Sequence, residues 1–281
     1  MQQKRVLTIQ DISCVGRCSL TVALPILSAA GIQTSILPTA VLSTHTGGFT
    51  GYTYRDLTED VAGITAHWQT LGLAFDALYT GYLGSFEQLR LVSGIFDTFK
   101  AEGGLVVIDP VMADNGQLYA GFSADFPKGM AALCAKADIV VPNLTEAAFL
   151  LGETYSETCD KAAVEGLLHR LHALGSRNVV LTGVSFAPDQ LGIAAYDGTD
   201  ISYYFTERIP GYYHGTGDIY ASALTAAMLI RGSLQEAAAI AVDYTVDCIR
   251  ATQGTGRDAK YGVNFECCLP GFMRRLGLFG Q

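Results

Sequence analysis

Short apolar runs alternate along the chain with longer stretches in which apolar residues recur every three or four positions. The runs at 6–10, 77–82, 105–109, 138–141 and 178–182 are dominated by Val, Ile, Leu and Ala and predict strands buried on both faces. Runs at 190–196 and 201–205 follow, separated by Asp197-Gly198, a hairpin signal. Helical periodicity covers 18–30, 59–71, 85–102, 144–151, 160–174, 218–231 and 233–252. Strands that alternate with helices of this length predict an α/β fold: a mostly parallel central sheet flanked by helices.

Two segments break the alternation. Residues 32–51 carry two short strand-like runs, 34–37 and 39–43, and little helical period; they predict a small β flap laid over the ligand crevice, not a second domain. Residues 111–126 hold Gly, Asp and aromatic side chains without a period and predict a lid loop. No internal repeat or low-complexity stretch is visible, and a single domain over 1–281 is the expectation.

Composition narrows the partners. With 49% hydrophobic and 16% charged residues among 281, the chain can bury a large core. A formal charge of −9 argues against nucleic-acid binding, which needs a basic patch. Nucleotides remain open to it, because magnesium and backbone amides can neutralise phosphates. No apolar run approaches the roughly 20 residues of a membrane span, and the first residues form a strand, not a signal peptide. The seven cysteines are scattered and lack the histidine partners of a zinc site; reduced thiols in a cytoplasmic protein are expected.

The predicted strands end at chemistry: Asp11, Gly81-Tyr82, Asp109, and Pro142-Asn143. Ligands of open α/β sheets bind beyond the carboxyl ends of the strands, so these residues should share one crevice. The most telling stretch is His214-Gly215-Thr216-Gly217-Asp218 followed by an apolar helix. Glycines leave amides uncovered, and a helix N-terminus gathers free N–H groups that suit a phosphate. Asp218 beside such a phosphate is awkward unless it handles a proton, which points to a phosphotransferase; the simpler reading is a helix N-cap. Asp109-Pro110 could hold magnesium water or be an ordinary turn, and Asp114 could reach the same phosphates from the lid. Asn143 and Glu146 form a capping box and could also bind the hydration shell of magnesium. No Gly-Lys-Ser/Thr is present, which closes the P-loop route to ATP.

Six ordered motifs carry a resemblance to the ribokinase-like superfamily and, within it, to the pyridoxal/pyridoxamine (vitamin B6) kinases. Val6-Leu7-Thr8-Ile9-Gln10-Asp11 with Val15-Gly16 is similar to that family's opening Ile-Gln-Ser…Gly. Ser43-Thr44-His45-Thr46-Gly47 resembles its Ser-Asn-His-Thr-Gly, and Gly81-Tyr82-Leu83-Gly84 its Gly-Tyr-Leu-Gly. Asp109-Pro110-Val111-Met112, Asn143-Leu144-Thr145-Glu146 and Gly215-Thr216-Gly217-Asp218 resemble its remaining signatures.

The resemblance implies a kinase for the hydroxymethyl group of a B6 vitamer, with ATP as co-substrate, Mg²⁺, and a homodimer. It implies Asp218 as base and Gly215, Thr216 and Gly217 as the anion hole. Asp109, Asn143 and Glu146 would organise Mg²⁺ through water, Thr182 would contact ATP phosphate, and Tyr119 would close over the nucleotide. Asp11, Thr46 and Tyr82 would line the vitamer pocket. Asp11 departs from the family's serine, and a carboxylate there would favour a protonated ring or the amine of pyridoxamine. A monovalent cation is a further cofactor of relatives, but Val141 offers it no hydroxyl. His45 is expected to be structural and His214 to order its loop. The alternatives are a hydroxymethylpyrimidine kinase, a sugar kinase, and a vitamer- or nucleotide-binding protein without turnover. Asp218 weighs against the first, since many such enzymes carry cysteine there.

Overall fold

Residues 3–256 and 258–279 are described by the structure, a computed structural model. In chain order the first half runs β1 (Arg5–Ser13), α1 (Leu20–Ala29), β2 (Gln33–Leu42), β3 (Tyr54–Asp56), α2 (Thr58–Thr70), β4 (Phe75–Thr80), α3 (Phe86–Phe99), β5 (Lys100–Ile108), β6 (Ala113–Asp114), β7 (Gln117–Leu118) and α4 (Phe126–Cys134). The second half runs β8 (Ile139–Val140), α5 (Leu144–Leu151), α6 (Lys161–Ala173), β9 (Asn178–Val184), β10 (Gln190–Tyr196), β11 (Ile201–Glu207), α7 (Thr216–Arg231), α8 (Leu234–Thr252) and α9 (Leu269–Arg275).

Nine strands form one sheet in the order β11-β10-β9-β8-β5-β4-β1-β2-β3. The inner strands from β2 to β9 are parallel, whereas β3, β10 and β11 pair antiparallel at the two edges. Successive residues of a strand face opposite sides, so Val6 and Ala77 join one core while Leu7 and Leu78 join the other. The first core is closed by α1, α7, α8 and α9, the second by α2 to α6. Each fully buried Leu or Ile of these faces contributes about 1.5–3 kcal/mol over an exposed one. No helix among the described residues is long and apolar enough to cross a membrane.

Four expectations need correction. The flap expected over 32–51 is not a separate element, because its first part is β2, a full strand of the main sheet paired with β1 from Arg5↔Gln33 to Ser13↔Leu42. Pro38 looked like a break between two short runs. Instead, the register slips there by one residue between Gln10 and Ile12, and a bulge tolerates the missing N–H. Strand β3 follows as the edge strand, paired antiparallel with β2, and the loop between them carries His45 and Thr46.

Strand β1 runs on through Asp11, which therefore sits opposite the bulge, not at the strand's end. Helix α7 starts at Thr216, two residues before the expected start, which makes Gly215 the N-cap and puts Asp218 inside the first turn. The lid segment is also more ordered than expected. Asn115 and Gly116, both at positive φ, turn β6 back onto β7 as a small hairpin.

Candidate active site

Gly215 sits at φ 77°, a conformation glycine adopts freely. A β-carbon there would stand 2.0 Å from the Arg17 carbonyl oxygen, so glycine alone lets the α7 start approach the loop after β1. The Gly215 carbonyl accepts the Ile219 N–H at 3.1 Å, while no side chain caps the preceding amides. The amides of Thr216 and Gly217 belong to that uncapped start, which suits an anion. Gly217 faces Asp109 across the cleft, 3.9 Å from its ideal β-carbon position to Oδ2.

These residues border a cavity of about 490 Å³ beyond the carboxyl ends of the parallel strands. All the residues singled out from the sequence line it: Asp11, Thr46, Tyr82, Asp109, Asp114, Tyr119, Asn143, Glu146, Thr182, Gly215, Thr216, Gly217 and Asp218. It has two ends. Asp11, Ser13, His45, Thr46 and Tyr82 form one, beside the β4-β1-β2 side of the sheet, and Ile193, Thr206, Val242, Thr245, Val246 and Ile249 the other, beside β10, β11 and α8, with the α7 start facing Asp109 at the middle strand β5 between them.

Six carboxylates and no lysine or arginine stand among the lining residues. Asp218 is pushed up to about 7 by burial, with the Ser19 N–H pulling down and Asp11 pushing further up. Burial raises Asp109 well above the usual carboxylate range, and repulsion from Glu146 and Asp218 adds to it. Glu146 rises to about 7, again through burial, against the N–H groups it accepts. Such a concentration of buried hard oxygen donors fits a divalent cation.

Among the described residues no group of three or more His, Cys, Asp or Glu side chains is arranged to hold an ion directly. Glu146 shows why. Its Oε1 accepts the Met112 N–H at 3.0 Å and its Oε2 the Asn143 N–H at 2.9 Å, while Asn143 Oδ1 accepts the Glu146 N–H at 2.9 Å. Asn143 Nδ2 donates to the Ala113 carbonyl at 2.9 Å. The capping box thus orients the pair and ties the start of α5 to the lid hairpin, leaving Glu146 suited to a hydrated ion. Thr182, bridged to Asn143, donates its hydroxyl to the Pro142 carbonyl at 3.4 Å.

The lid is fastened at two points. Tyr212 donates its hydroxyl to Asp114 Oδ2 at 3.0 Å, joining the hairpin to the loop before α7. At the other side Phe122 stacks on Phe126 at 4.1 Å and packs on Tyr82 at 5.6 Å. Tyr119 stays 39% exposed at the rim.

Asp11 is buried, and Ser13 donates its hydroxyl to Oδ2 at 2.9 Å. Burial raises its carboxyl above the ordinary range despite hydrogen bonds from Ser19 and Ser13. His45 Nδ1 accepts the Gly47 N–H at 3.2 Å and Nε2 lies 2.6 Å from the Lys260 carbonyl, which assigns the proton to Nε2. Burial lowers its pKa, so the ring is a neutral brace between the 43–53 loop and the 258–262 turn. His214 packs 5.4 Å from His45 and 5.0 Å from Tyr212.

The apolar end escaped sequence reading. Val242, Thr245, Val246 and Ile249 recur at helical spacing on α8 and look like core. Periodicity marks a buried face without saying what covers it. Ser19 was not singled out, because the helical period expected over 18–30 includes it, whereas the structure makes it the N-cap of α1.

Residues 26–263 match the family model described as phosphomethylpyrimidine kinase. The chain is 38% identical to a Bacteroides thetaiotaomicron protein provisionally designated a phosphomethylpyrimidine kinase and crystallised with pyridoxal; 96% of each chain is covered and the TM-score is 0.91. Pyridoxal kinase from Lactobacillus plantarum is 34% identical over 97% of this chain and 98% of its own, with a TM-score of 0.89. The pyridoxine/pyridoxal/pyridoxamine kinase of Bordetella avium is 28% identical, covering 88% of this chain and 85% of its own. The chain belongs to the phosphomethylpyrimidine kinase family and is a kinase of the ribokinase-like fold.

Proposed function

We propose that the protein transfers the terminal phosphoryl group of ATP to the hydroxymethyl group of a vitamin B6 vitamer. The observation that carries this reading is the placing of Asp218 between two unlike ends of one cavity. The end holding Asp11, Thr46 and Tyr82 suits a polar aromatic ring, with Tyr82 offering an aromatic face. The apolar end on α8 suits a flat nucleobase. A relative of 38% identity crystallised with pyridoxal supports the choice of vitamer.

In this reading the uncapped amides of Thr216 and Gly217, with Gly215, hold the migrating phosphoryl group between the two ends. Asp218 takes the proton from the acceptor hydroxyl as the oxygen attacks, and the bond to the leaving diphosphate breaks in line. Burial keeps Asp218 basic enough for that task, whereas an exposed carboxylate near 4 would be a poor base. Mg²⁺, when bound, supplies charge neutralisation for the phosphates, and Asp109, Asn143 and Glu146 would hold it, the last through water. Thr182, Asp114 and Tyr119 border the path of the phosphates. A cytoplasmic homodimer completes the reading, and Val141 supplies no hydroxyl to the monovalent cation that the resemblance also implies.

The second reading is a hydroxymethylpyrimidine kinase, favoured by the matching family description. ADP release from Mg-ATP with pyridoxal, pyridoxine, pyridoxamine and hydroxymethylpyrimidine in parallel separates the two. Turnover of a vitamer supports the proposal, and turnover of the pyrimidine alone overturns it. Tight binding of a vitamer without ADP release would make the protein a binder only.

A further inference from the structure

His214 is the last residue before the glycines at the α7 start, and its ring packs on two other segments. On one side it lies on the backbone of the 43–53 loop: a β-carbon built on Gly47 would stand 2.7 Å from its Nδ1 and Cε1. Gly47 is not at positive φ, so the missing side chain there makes room for the ring and does not serve a turn. The same ring stands 5.4 Å from His45, which meets Phe49 edge-on at 5.0 Å. On the other side it meets Tyr212 edge-on at 5.0 Å. Tyr212 donates its hydroxyl to Asp114 Oδ2 at 3.0 Å, and Asp114 Oδ1 accepts the Asn115 N–H at 2.9 Å in the lid hairpin.

Among the described residues no hydrogen bond reaches either nitrogen of His214, so packing orients the ring. Gly47, His214, Tyr212 and Asp114 all line the cavity, and the chain of contacts runs along its wall. It begins in the loop that carries Thr46 of the acceptor end and finishes at a lid residue on the phosphate side. A ligand that orders one segment lowers the cost of ordering another when one rigid group touches both. A planar ring seated between a glycine backbone and Tyr212 is such a group, because close-packed contacts transmit strain.

We propose that His214 is a positioning residue that couples acceptor binding to nucleotide binding, its ring carrying the ordering of the 43–53 loop through Tyr212 to Asp114 of the lid. The proposal rests on the reading of Asp11, Thr46 and Tyr82 as the acceptor end and of Asp114 as a border of the phosphate path. One rival route joins the same two ends: Phe122 of the lid packs on Tyr82 at 5.6 Å.

The measurement is the Kd of a non-hydrolysable ATP analogue with Mg²⁺, by calorimetry, with and without saturating acceptor, beside the melting temperature. The acceptor is whichever of pyridoxal, pyridoxine, pyridoxamine and hydroxymethylpyrimidine the enzyme turns over fastest. In wild type the acceptor tightens the analogue at least about fivefold, and the analogue tightens the acceptor by the same factor. H214A lowers that factor below about twofold. H214F keeps a ring in place and restores most of the coupling. G47A keeps the histidine but displaces its ring, and so loses coupling as H214A does. Y212F breaks the bond to Asp114 and lowers the coupling too; combined with H214A it adds no further loss, because the two residues act in one chain.

Absence of coupling in wild type, or coupling kept in H214A, overturns the proposal. So do an H214F as uncoupled as H214A, additive losses in the H214A/Y212F double variant, or coupling that disappears in F122A and persists in H214A. If H214A does not fold, G47A and Y212F decide, since wild-type coupling in either one overturns the proposal as well. Failure of the underlying reading looks different: wild-type protein turns over none of the four alcohols.

Discussion

Gly215 and the carbonyl oxygen of Arg17 are so close that a β-carbon on the glycine would stand 2.0 Å from it. That approach brings the start of α7 against the loop after β1, and so sets Asp218 in the same cavity wall as Asp11. Gly215→Ala meets both the backbone oxygen and a φ of 77°. We expect a loss of about 2–4 kcal/mol in stability and a drop in kcat as the amides move. Chemical denaturation measures the first; an alanine variant as stable as wild type would show that the approach is slack.

On the proposed mechanism, Asp218→Asn removes the proton acceptor while keeping the shape. The account expects kcat to fall about 10²–10⁴-fold with acceptor and nucleotide affinities close to wild type. Calorimetric binding beside steady-state kinetics reads both. Retained kcat would assign the base elsewhere.

The pH profile follows from the same group. Asp218 is pushed from 3.8 up to about 7 by burial, so the reactive carboxylate is depleted below about 7 and kcat rises with pH through that range. Stability runs the other way. A group whose folded pKa exceeds its unfolded value stabilises below the unfolded value, and the contribution is lost as pH rises through the folded one. The ligand-free protein should therefore melt lower at pH 8 than at pH 5 on this account, and Asp218→Asn should flatten part of that slope.

In the proposed function, Asp11 is the residue that sets the acceptor preference. Replacing it by serine removes a buried carboxylate that favours a cationic ring or amine, so the pyridoxamine share of relative kcat/KM should fall. Unchanged ranking of the three vitamers would remove Asp11 from specificity.

Asn143 has a capping duty in the structure, and the proposed function gives it a second one at magnesium that one variant separates from the first. Asn143→Ala breaks the capping box with Glu146, costing about 1 kcal/mol in stability. Because Glu146 is then no longer held, the magnesium concentration at half-maximal rate should rise. A stability loss without a change in magnesium dependence would reduce Asn143 to a cap.

Much of this was legible before the fold. Helix α5 and strand β10 begin and end where periodicity and turn residues put them, because Asn143-x-x-Glu146 and Asp197-Gly198 punctuate strongly. The strand ends marked the cleft because parallel sheets leave their loops there. What was hidden is instructive. Asp218 suits either an N-cap or the first turn, and only the tight fit of Gly215 on Arg17 decides. Pro38 looked like a strand break because a bulge depends on the neighbouring strand. Asn115-Gly116 was a readable hairpin signal within an aperiodic lid, and the α8 face needed the opposite sheet to show itself as a cavity wall.

The central claim is the identity of the acceptor, and a direct competition tests it best. Equal concentrations of pyridoxal and hydroxymethylpyrimidine share one limiting supply of Mg-ATP, and mass spectrometry reads the two products, whose ratio is the ratio of kcat/KM. The account predicts phosphorylated pyridoxal in large excess. Phosphorylated pyrimidine in excess would contradict it.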